Sequence, residues 1–184
     1  MLLIRKIRLQ GFRSFHDQCI SGMGDLTAIV GKNSVGKSNI LRALNLFFNG
    51  EPQPGIPLSF QRDLHERPSR RQKKKIVISI EFELPSYFYL RKELAALRAV
   101  GPTLEVSRRW ELGPQRNIMS TFEVASSSGR IDYPDEVARQ LLSLISFRYI
   151  PNRSIPAEIL RGESQALADA IFMRMKGDKH AAAV

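Results

Sequence analysis

Residues 31–38 read Gly31-Lys32-Asn33-Ser34-Val35-Gly36-Lys37-Ser38 and satisfy every fixed position of the pattern G-x-x-x-x-G-K-[ST]. The two glycines allow the peptide to curl so that successive N–H groups point at one anion. A helix predicted to start near Gly36 or Lys37 aims its free amides and its positive dipole end at the same place. We therefore predict a phosphate-binding loop, in which Lys37 reaches the β- and γ-phosphates of ATP and the Ser38 hydroxyl coordinates Mg²⁺.

The flanking sequence supports this interpretation. The run Leu26-Thr27-Ala28-Ile29-Val30 precedes the loop and predicts a short buried strand. After the loop, apolar residues recur at the spacing of one helix face: Ile40, Leu41, Leu44, Phe47 and Phe48. Asn49-Gly50 and the prolines that follow predict where this helix ends. Strand, glycine loop and helix thus occur in the order that a phosphate-binding loop requires.

Composition narrows the class of protein. No apolar run approaches the ~20 residues needed to cross a bilayer, so no membrane partner is expected. The single cysteine cannot form an internal disulfide, which favours a cytoplasmic protein. The three histidines show no metal-ligand spacing.

The formal net charge of +10 is concentrated in one segment. The six basic residues of that segment are Arg67, Arg70, Arg71, Lys73, Lys74 and Lys75. Such a run can bind the phosphate backbone of DNA without reading sequence. A solvated loop that aids solubility explains it equally well, since no aromatic residues lie among the charges to stack on bases. Both interpretations stay open.

The first fifty residues resemble a known group. A predicted strand, Met1–Leu9, leads to Phe12-Arg13-Ser14-Phe15 and a second short strand around residues 18–20, and the phosphate-binding loop follows. This order resembles the amino-terminal lobe of the SMC/RecF/OLD group of ABC-type ATPases. The segment Gly31–Asn39 is similar to the form G-x-N-x-x-G-K-S-[NST] that the group uses.

The resemblance implies a nucleotide site with residues from two segments. It implies that Arg13 and Ser14 lie beside the nucleotide, with Arg13 near a phosphate or the ribose, and that Asn33 shapes the loop. The full implied set is Arg13, Ser14, Gly31, Lys32, Asn33, Ser34, Val35, Gly36, Lys37, Ser38 and Asn39.

The later sequence predicts a proline-rich surface connection and then an antiparallel layer. Ile76–Leu84 alternates, with one apolar face and one solvated face, so Glu81 is not expected to be the acid that holds Mg²⁺. The remaining predicted elements are a helix over 85–101, strands over 103–112 and 117–124, a hairpin turn over 126–130, a helix from Pro134, a strand over 147–151 and a last helix that ends at Gly177.

We predict an α/β P-loop NTPase lobe of the ABC ATPase type, with a mixed sheet around the loop helix plus an antiparallel β layer. Residues 1–184 form one lobe: the loop region (1–50), a connection (51–75), antiparallel strands with a helix (76–130) and a helical end (131–184). No catalytic residue is assigned, because no water-orienting acid and no signature helix can be identified.

The resemblance also implies partners. It implies a carboxy-terminal catalytic lobe of the same protein, homodimers formed through the ATPase heads, and coupling of ATP hydrolysis to DNA processing in repair or phage defence. An OLD-type protein would carry a nuclease beyond residue 184. The alternative is a basic nucleic-acid-binding domain in which the nucleotide is a structural ligand.

Overall fold

The computed structural model of the chain describes residues 4–32, 36–65, 74–83, 103–126, 129–131 and 135–151. The chain divides into two compact units, Met1–Arg148 and Tyr149–Val184. All helices and strands given below belong to the first unit. In the second unit residues 149–151 are described, and they form neither helix nor strand.

The first unit is built on one six-stranded sheet. The strands are β1 (Ile4–Phe12), β2 (Phe15–Ser21), β3 (Lys75–Glu83), β4 (Thr103–Leu112), β5 (Ile118–Ser126) and β6 (Gly129–Ile131). Their spatial order is β2-β1-β3-β4-β5-β6, and every pairing is antiparallel. The helices are α1 (Lys37–Asn49), α2 (Phe60–Asp63) and α3 (Asp135–Ser143).

Helix α1 packs on the apolar face of this sheet. Four residues in register, Ile7, Ile80, Val106 and Val124, form a buried row across β1, β3, β4 and β5. Phe47 of α1 lies with its ring centroid 6.5 Å from those of both Phe82 and Phe122. The apolar stripe predicted for residues 40–48 therefore closes the core except at Leu41, which is 42% exposed, and this burial holds α1 and its amino terminus in place.

The ends of α1 follow the predicted sequence rules. Gly50 has the left-handed φ of 82° and its N–H donates to the Leu46 carbonyl at 3.1 Å. Glycine adopts this conformation without the penalty that a Cβ imposes, so the helix ends where Asn49-Gly50 predicted.

The predicted strand before the loop is not formed. Residues 22–32 contain no strand, and the side chains of Leu26 and Val30 are 94% and 91% exposed. No strand in the described ranges pairs with this segment. An apolar run becomes a buried strand only when a neighbouring strand satisfies its backbone, and the described part of the chain supplies none.

The solvated face predicted for residues 76–84 is only partly solvated. Glu81 is half-buried, but Val77 and Ser79 on the same face are 8% and 7% exposed. The reason is that β3 is a central strand. Arg8 of β1 pairs in register with Ser79, and Arg109 of β4 pairs in register with Val77. The aliphatic stems of long side chains can cover such short neighbours.

The two hairpins after β3 were predicted correctly. Strands β4 and β5 pair across the turn that contains Gly113-Pro114, and Ser126 of β5 pairs with Gly129 of β6. The helix predicted from Pro134 is present as α3. The strand predicted over 147–151 is absent. The helices predicted over 85–101 and up to Gly177 lie outside the described residues.

Candidate nucleotide-binding site

The amino terminus of α1 is formed as the loop pattern requires. Gly36 precedes the helix with φ 92° and ψ 14°, and its carbonyl accepts the Asn39 N–H at 2.8 Å. A Cβ at this position would collide with Oγ of Ser14. Glycine is therefore needed at Gly36 for its backbone angles and for its close approach to the turn after β1. Asn33, Ser34 and Val35 lie outside the described residues.

Lys37 points back across the loop. Its Nζ donates to the carbonyls of Gly31 and Lys32, the latter at 2.7 Å. The positive charge therefore lies between the start of the loop and the start of α1, where the helix dipole is also positive. Ser38 follows in the first turn with an exposed side chain, and a hydroxyl oxygen is a ligand type that Mg²⁺ accepts.

Arg13 lies beside the first turn of α1. Its backbone is left-handed, with φ 47°, and its N–H donates to the Asp63 carbonyl at 2.8 Å. Its guanidinium pairs with the Asp63 carboxylate, with Nε and Nη2 at 2.8 Å and 2.7 Å from Oδ1, and Nη1 lies 3.4 Å from Oδ1 of Asn39. The structure thus brings Arg13 to the loop helix, although 26 residues separate it from Asn39.

Asp63 belongs to a group of site residues that the sequence patterns did not predict, together with Arg62, Leu64 and His65. Its side chain is fully buried and accepts hydrogen bonds from Arg13, from Arg62 (Nη2–Oδ2 2.7 Å) and from the backbone N–H of Ser59 (3.0 Å). Burial raises the pKa of this carboxyl, but the hydrogen bonds from Arg62, Ser59 and Arg13 outweigh it, so the pKa lies below its usual value.

One sequence feature points to Asp63. Ser59 directly precedes α2, and the carboxylate of Asp63, four residues further on, accepts the Ser59 backbone N–H as the acid of a capping box does, although the Ser59 side chain makes no capping hydrogen bond. The segment over 51–75, interpreted from its prolines as a surface connection, therefore contributes a buried residue to the site.

Asn39, in the first turn of α1, contacts Ser14, the other residue that the resemblance places beside the nucleotide. Its Nδ2 donates to Oγ of Ser14 at 3.1 Å, and its Oδ1 accepts from Nη1 of Arg42 at 2.9 Å. Ser14, Asn39 and Arg13 are therefore adjacent.

A cleft of about 300 Å³ opens beside this network, lined by Arg13, Ser14, Arg62, Leu64 and His65. Nδ1 of His65 lies 2.6 Å from the Arg13 carbonyl. Because a carbonyl only accepts, Nδ1 carries the proton in this contact. The cleft is large enough for a small-molecule group and offers both an apolar side chain and donors.

The basic run is described only at its end. Lys74 and Lys75 are exposed, and Lys75 opens β3 opposite Glu111. Arg67, Arg70, Arg71 and Lys73 lie outside the described residues, as does any contact they make.

In the described ranges no three His, Cys, Asp or Glu side chains are grouped so that they could hold a metal ion. The same ranges contain no helix that is long and apolar enough to cross a membrane.

The fold is that of a P-loop ATPase of the ABC type. The chain belongs to the family described as "AAA ATPase domain", which matches residues 3–181. The family is thereby shown over nearly the whole chain.

Two curated relatives match part of the chain. An uncharacterized protein of Methanocaldococcus jannaschii is 36% identical over 85 residues, which are 45% of this chain and 24% of that protein. The DNA double-strand break repair Rad50 ATPase of Sulfolobus acidocaldarius is 34% identical over 91 residues, 48% of this chain and 9% of that protein. The matched region thus spans a quarter or less of these relatives.

A solved structure agrees with the fold over most of the chain. That structure comes from work on the ATP-driven dimerization and DNA stimulated activation of SMC ATPases. The matched region covers 91% of this chain and 98% of the chain in that structure. The TM-score is 0.58 at 21% sequence identity, which is a likeness of fold.

Proposed function

We propose that this chain is the ATP-binding lobe of an SMC-like or Rad50-like ABC ATPase that couples ATP binding and hydrolysis to work on DNA. The observation that carries the proposal is the charge arrangement at the start of α1. Lys37 and the helix dipole put positive charge at the loop, and Arg13 adds a guanidinium beside the first turn. Such an arrangement favours a multiply charged phosphate chain over a neutral ligand.

The phosphates and the metal ion are assigned to separate groups. Lys37 would hold the β- and γ-phosphates together with the loop N–H groups, and the Ser38 hydroxyl would be a ligand of Mg²⁺. Bound Mg²⁺ would neutralise phosphate charge. The nucleoside part would lie in the cleft lined by Leu64 and His65, with Ser14 between the cleft and the loop.

Hydrolysis needs groups that we assign to a second lobe. The exposed side chains of Leu26 and Val30 support this assignment, because they lead directly into the loop and have no covering element in the described part of the chain. We propose that a carboxy-terminal lobe of the same protein adds the missing neighbouring strand, the water-orienting acid and the signature segment. The chain alone should then bind ATP and hydrolyse it poorly.

DNA and dimer formation are proposed from the relatives. The Rad50 ATPase is named for DNA double-strand break repair, and the SMC work concerns ATP-driven dimerization and stimulation by DNA. We extend both properties to this protein, with heads that pair around ATP in a cytoplasmic homodimer. The finer assignment, an OLD-type protein with a nuclease acting in repair or phage defence, rests only on the resemblance of residues 1–50.

The test is calorimetric titration of the chain with ATP-Mg²⁺, with phosphate release followed in parallel. Replacing Lys37 by Ala removes a charged donor to the phosphates, which is worth about 1.5–3 kcal/mol, so affinity should fall about 10- to 100-fold. The matched control is Lys6→Ala, which removes the same charge from the side of β1 opposite the core residue Ile7 and should bind as the wild type does.

Three outcomes are informative. Lys37-dependent binding without turnover supports a nucleotide-binding lobe that needs a catalytic partner. Steady Lys37-dependent turnover would contradict the assignment of the acid to a second lobe. Absence of ATP binding in the wild-type chain would refute the proposed function.

A further inference from the structure

We propose that Asp63 is a positioning residue of the nucleotide site: it aims the Arg13 guanidinium at a phosphate of the nucleotide bound at the start of α1. The inference rests on the proposed function and adds a role to a residue that neither the loop pattern nor the resemblance includes.

The first support is the geometry of the ion pair. Nε and Nη2 of Arg13 both lie within 2.8 Å of Oδ1 of Asp63, which fixes the plane of the guanidinium. A guanidinium has a rigid fork of donors, so two fixed nitrogens determine the direction of the third. That third nitrogen, Nη1, is the one 3.4 Å from Oδ1 of Asn39 in the first turn of α1.

The second support is the backbone of Arg13. Its left-handed φ of 47° is costly for a residue with a Cβ and persists only where neighbours hold it. Here the Asp63 carbonyl accepts the Arg13 N–H, and Nδ1 of His65 donates to the Arg13 carbonyl. One segment, 63–65, therefore holds both the main chain and the side chain of Arg13.

The third support is the charge balance. The buried carboxylate of Asp63 pairs with two guanidiniums, Arg13 and Arg62, so the three side chains together carry a surplus positive charge. Asp63 is 0% exposed whereas Arg13 is 17% exposed, so the carboxylate faces the protein and the arginine is the member of the pair that a ligand can reach. A phosphate group supplies the negative charge that this cluster lacks.

The chain contains a matched pair for comparison. Asp17 also forms a two-point pair with Arg8, at 2.9 Å and 2.8 Å, but both side chains are more than a third exposed on the sheet, away from the loop. Removing the Asp17 carboxylate therefore breaks the same kind of contact without touching the site.

The test is a double-mutant cycle on ATP-Mg²⁺ affinity, measured by calorimetry on the full chain. Arg13→Gln and Asp63→Asn should each weaken binding about tenfold, and the double variant should also be weakened about tenfold, because Asp63 acts through Arg13. Asp17→Asn should bind as the wild type does. An effect of Asp63 on ATP binding that is independent of Arg13 would instead add to the loss from Arg13→Gln and give about a hundredfold.

Several results would overturn the inference. Wild-type affinity in a folded Asp63→Asn, or a hundredfold loss in the double variant, would show that Asp63 does not act through Arg13. If thermal melting shows that Asp63→Asn is unfolded, Asp63→Glu takes its place in the cycle. If neither variant folds, Asp63 is needed for folding and the inference that it positions Arg13 is overturned. A wild-type chain that binds no ATP refutes the proposed function itself, whereas intact Lys37-dependent binding with an indifferent Asp63 refutes only this inference.

Discussion

At the scale of a single residue, Gly36 has two roles in the site. It starts α1 with a left-handed backbone, and its missing Cβ leaves room for the hydroxyl of Ser14. The left-handed backbone is a conformational requirement, and the room for Ser14 is a steric one. The two requirements can be separated because another glycine of the chain meets only the conformational one. Gly55 has φ 72°, and nothing lies within 4 Å of a Cβ placed there.

The prediction compares Gly36→Ala with Gly55→Ala. Both introduce a Cβ at positive φ, which costs about 1–2 kcal/mol of unfolding free energy. Gly36→Ala should cost more than Gly55→Ala, since Ser14 must also move, and it alone should abolish ATP binding. Thermal or urea unfolding together with ATP titration measures both effects. Equal losses of stability and intact binding in both variants would show that the contact between Gly36 and Ser14 is unimportant.

The segment before the loop is the informative case at the scale of elements. Its composition predicts a buried strand, yet Leu26 is 94% exposed while Leu9, on β1, is fully buried. The same residue type thus occupies opposite environments, and what separates them is the presence of neighbouring strands. Leu9 has β2 on one side and β3 on the other.

The matched substitutions Leu26→Ala and Leu9→Ala test this difference. Leu26→Ala should change the free energy of unfolding by less than about 0.5 kcal/mol, as exposed substitutions do. Leu9→Ala should cost about 2–5 kcal/mol, because it leaves a cavity in the core. Urea unfolding of the two variants gives the comparison. A loss above about 2 kcal/mol for Leu26→Ala would mean that the chain buries this segment by itself.

Charge is the property that belongs to the whole molecule. The net charge of +10 is carried largely by residues 67–75, so a DNA-binding surface that includes them should depend steeply on salt. ATP binding at the loop and DNA binding by this segment are separate properties of the chain. They distinguish an ATPase lobe from a basic binding module that uses the nucleotide only as a structural ligand.

The prediction concerns the salt dependence of binding to a duplex DNA, measured by fluorescence anisotropy. Replacing Lys73, Lys74 and Lys75 by Ala should reduce the slope of log K against log salt by about 2–3, since each DNA phosphate that a lysine neutralises adds about 0.9 to that slope. The control removes three charges from β1, Arg5, Lys6 and Arg8, and should change the slope by less than about 1. Strong DNA binding that does not change with ATP or with replacement of Lys37 would favour the alternative of a basic nucleic-acid-binding domain. Equal salt slopes in the two triple variants would exclude residues 73–75 as the DNA-binding segment.

What could be predicted from the sequence depended on local rules. The loop pattern and the helix stripe predicted α1 and both of its ends, because backbone freedom at glycine and the spacing of apolar residues act over a few neighbours. Alternation and turn residues likewise predicted β3, β4 and β5.

The tertiary structure decided what depends on distant neighbours. Burial of Ser79 requires strands on both sides of β3, and exposure of Leu26 follows from the lack of a strand beside it in the described part of the chain. Asp63 joins the site only because β1 and the segment after α2 run side by side, which places it against an arginine 50 residues away. Sequence patterns predict which side chains share a face of a helix or strand. The burial of a charged residue such as Asp63 is explained only by the partners that the fold places beside it.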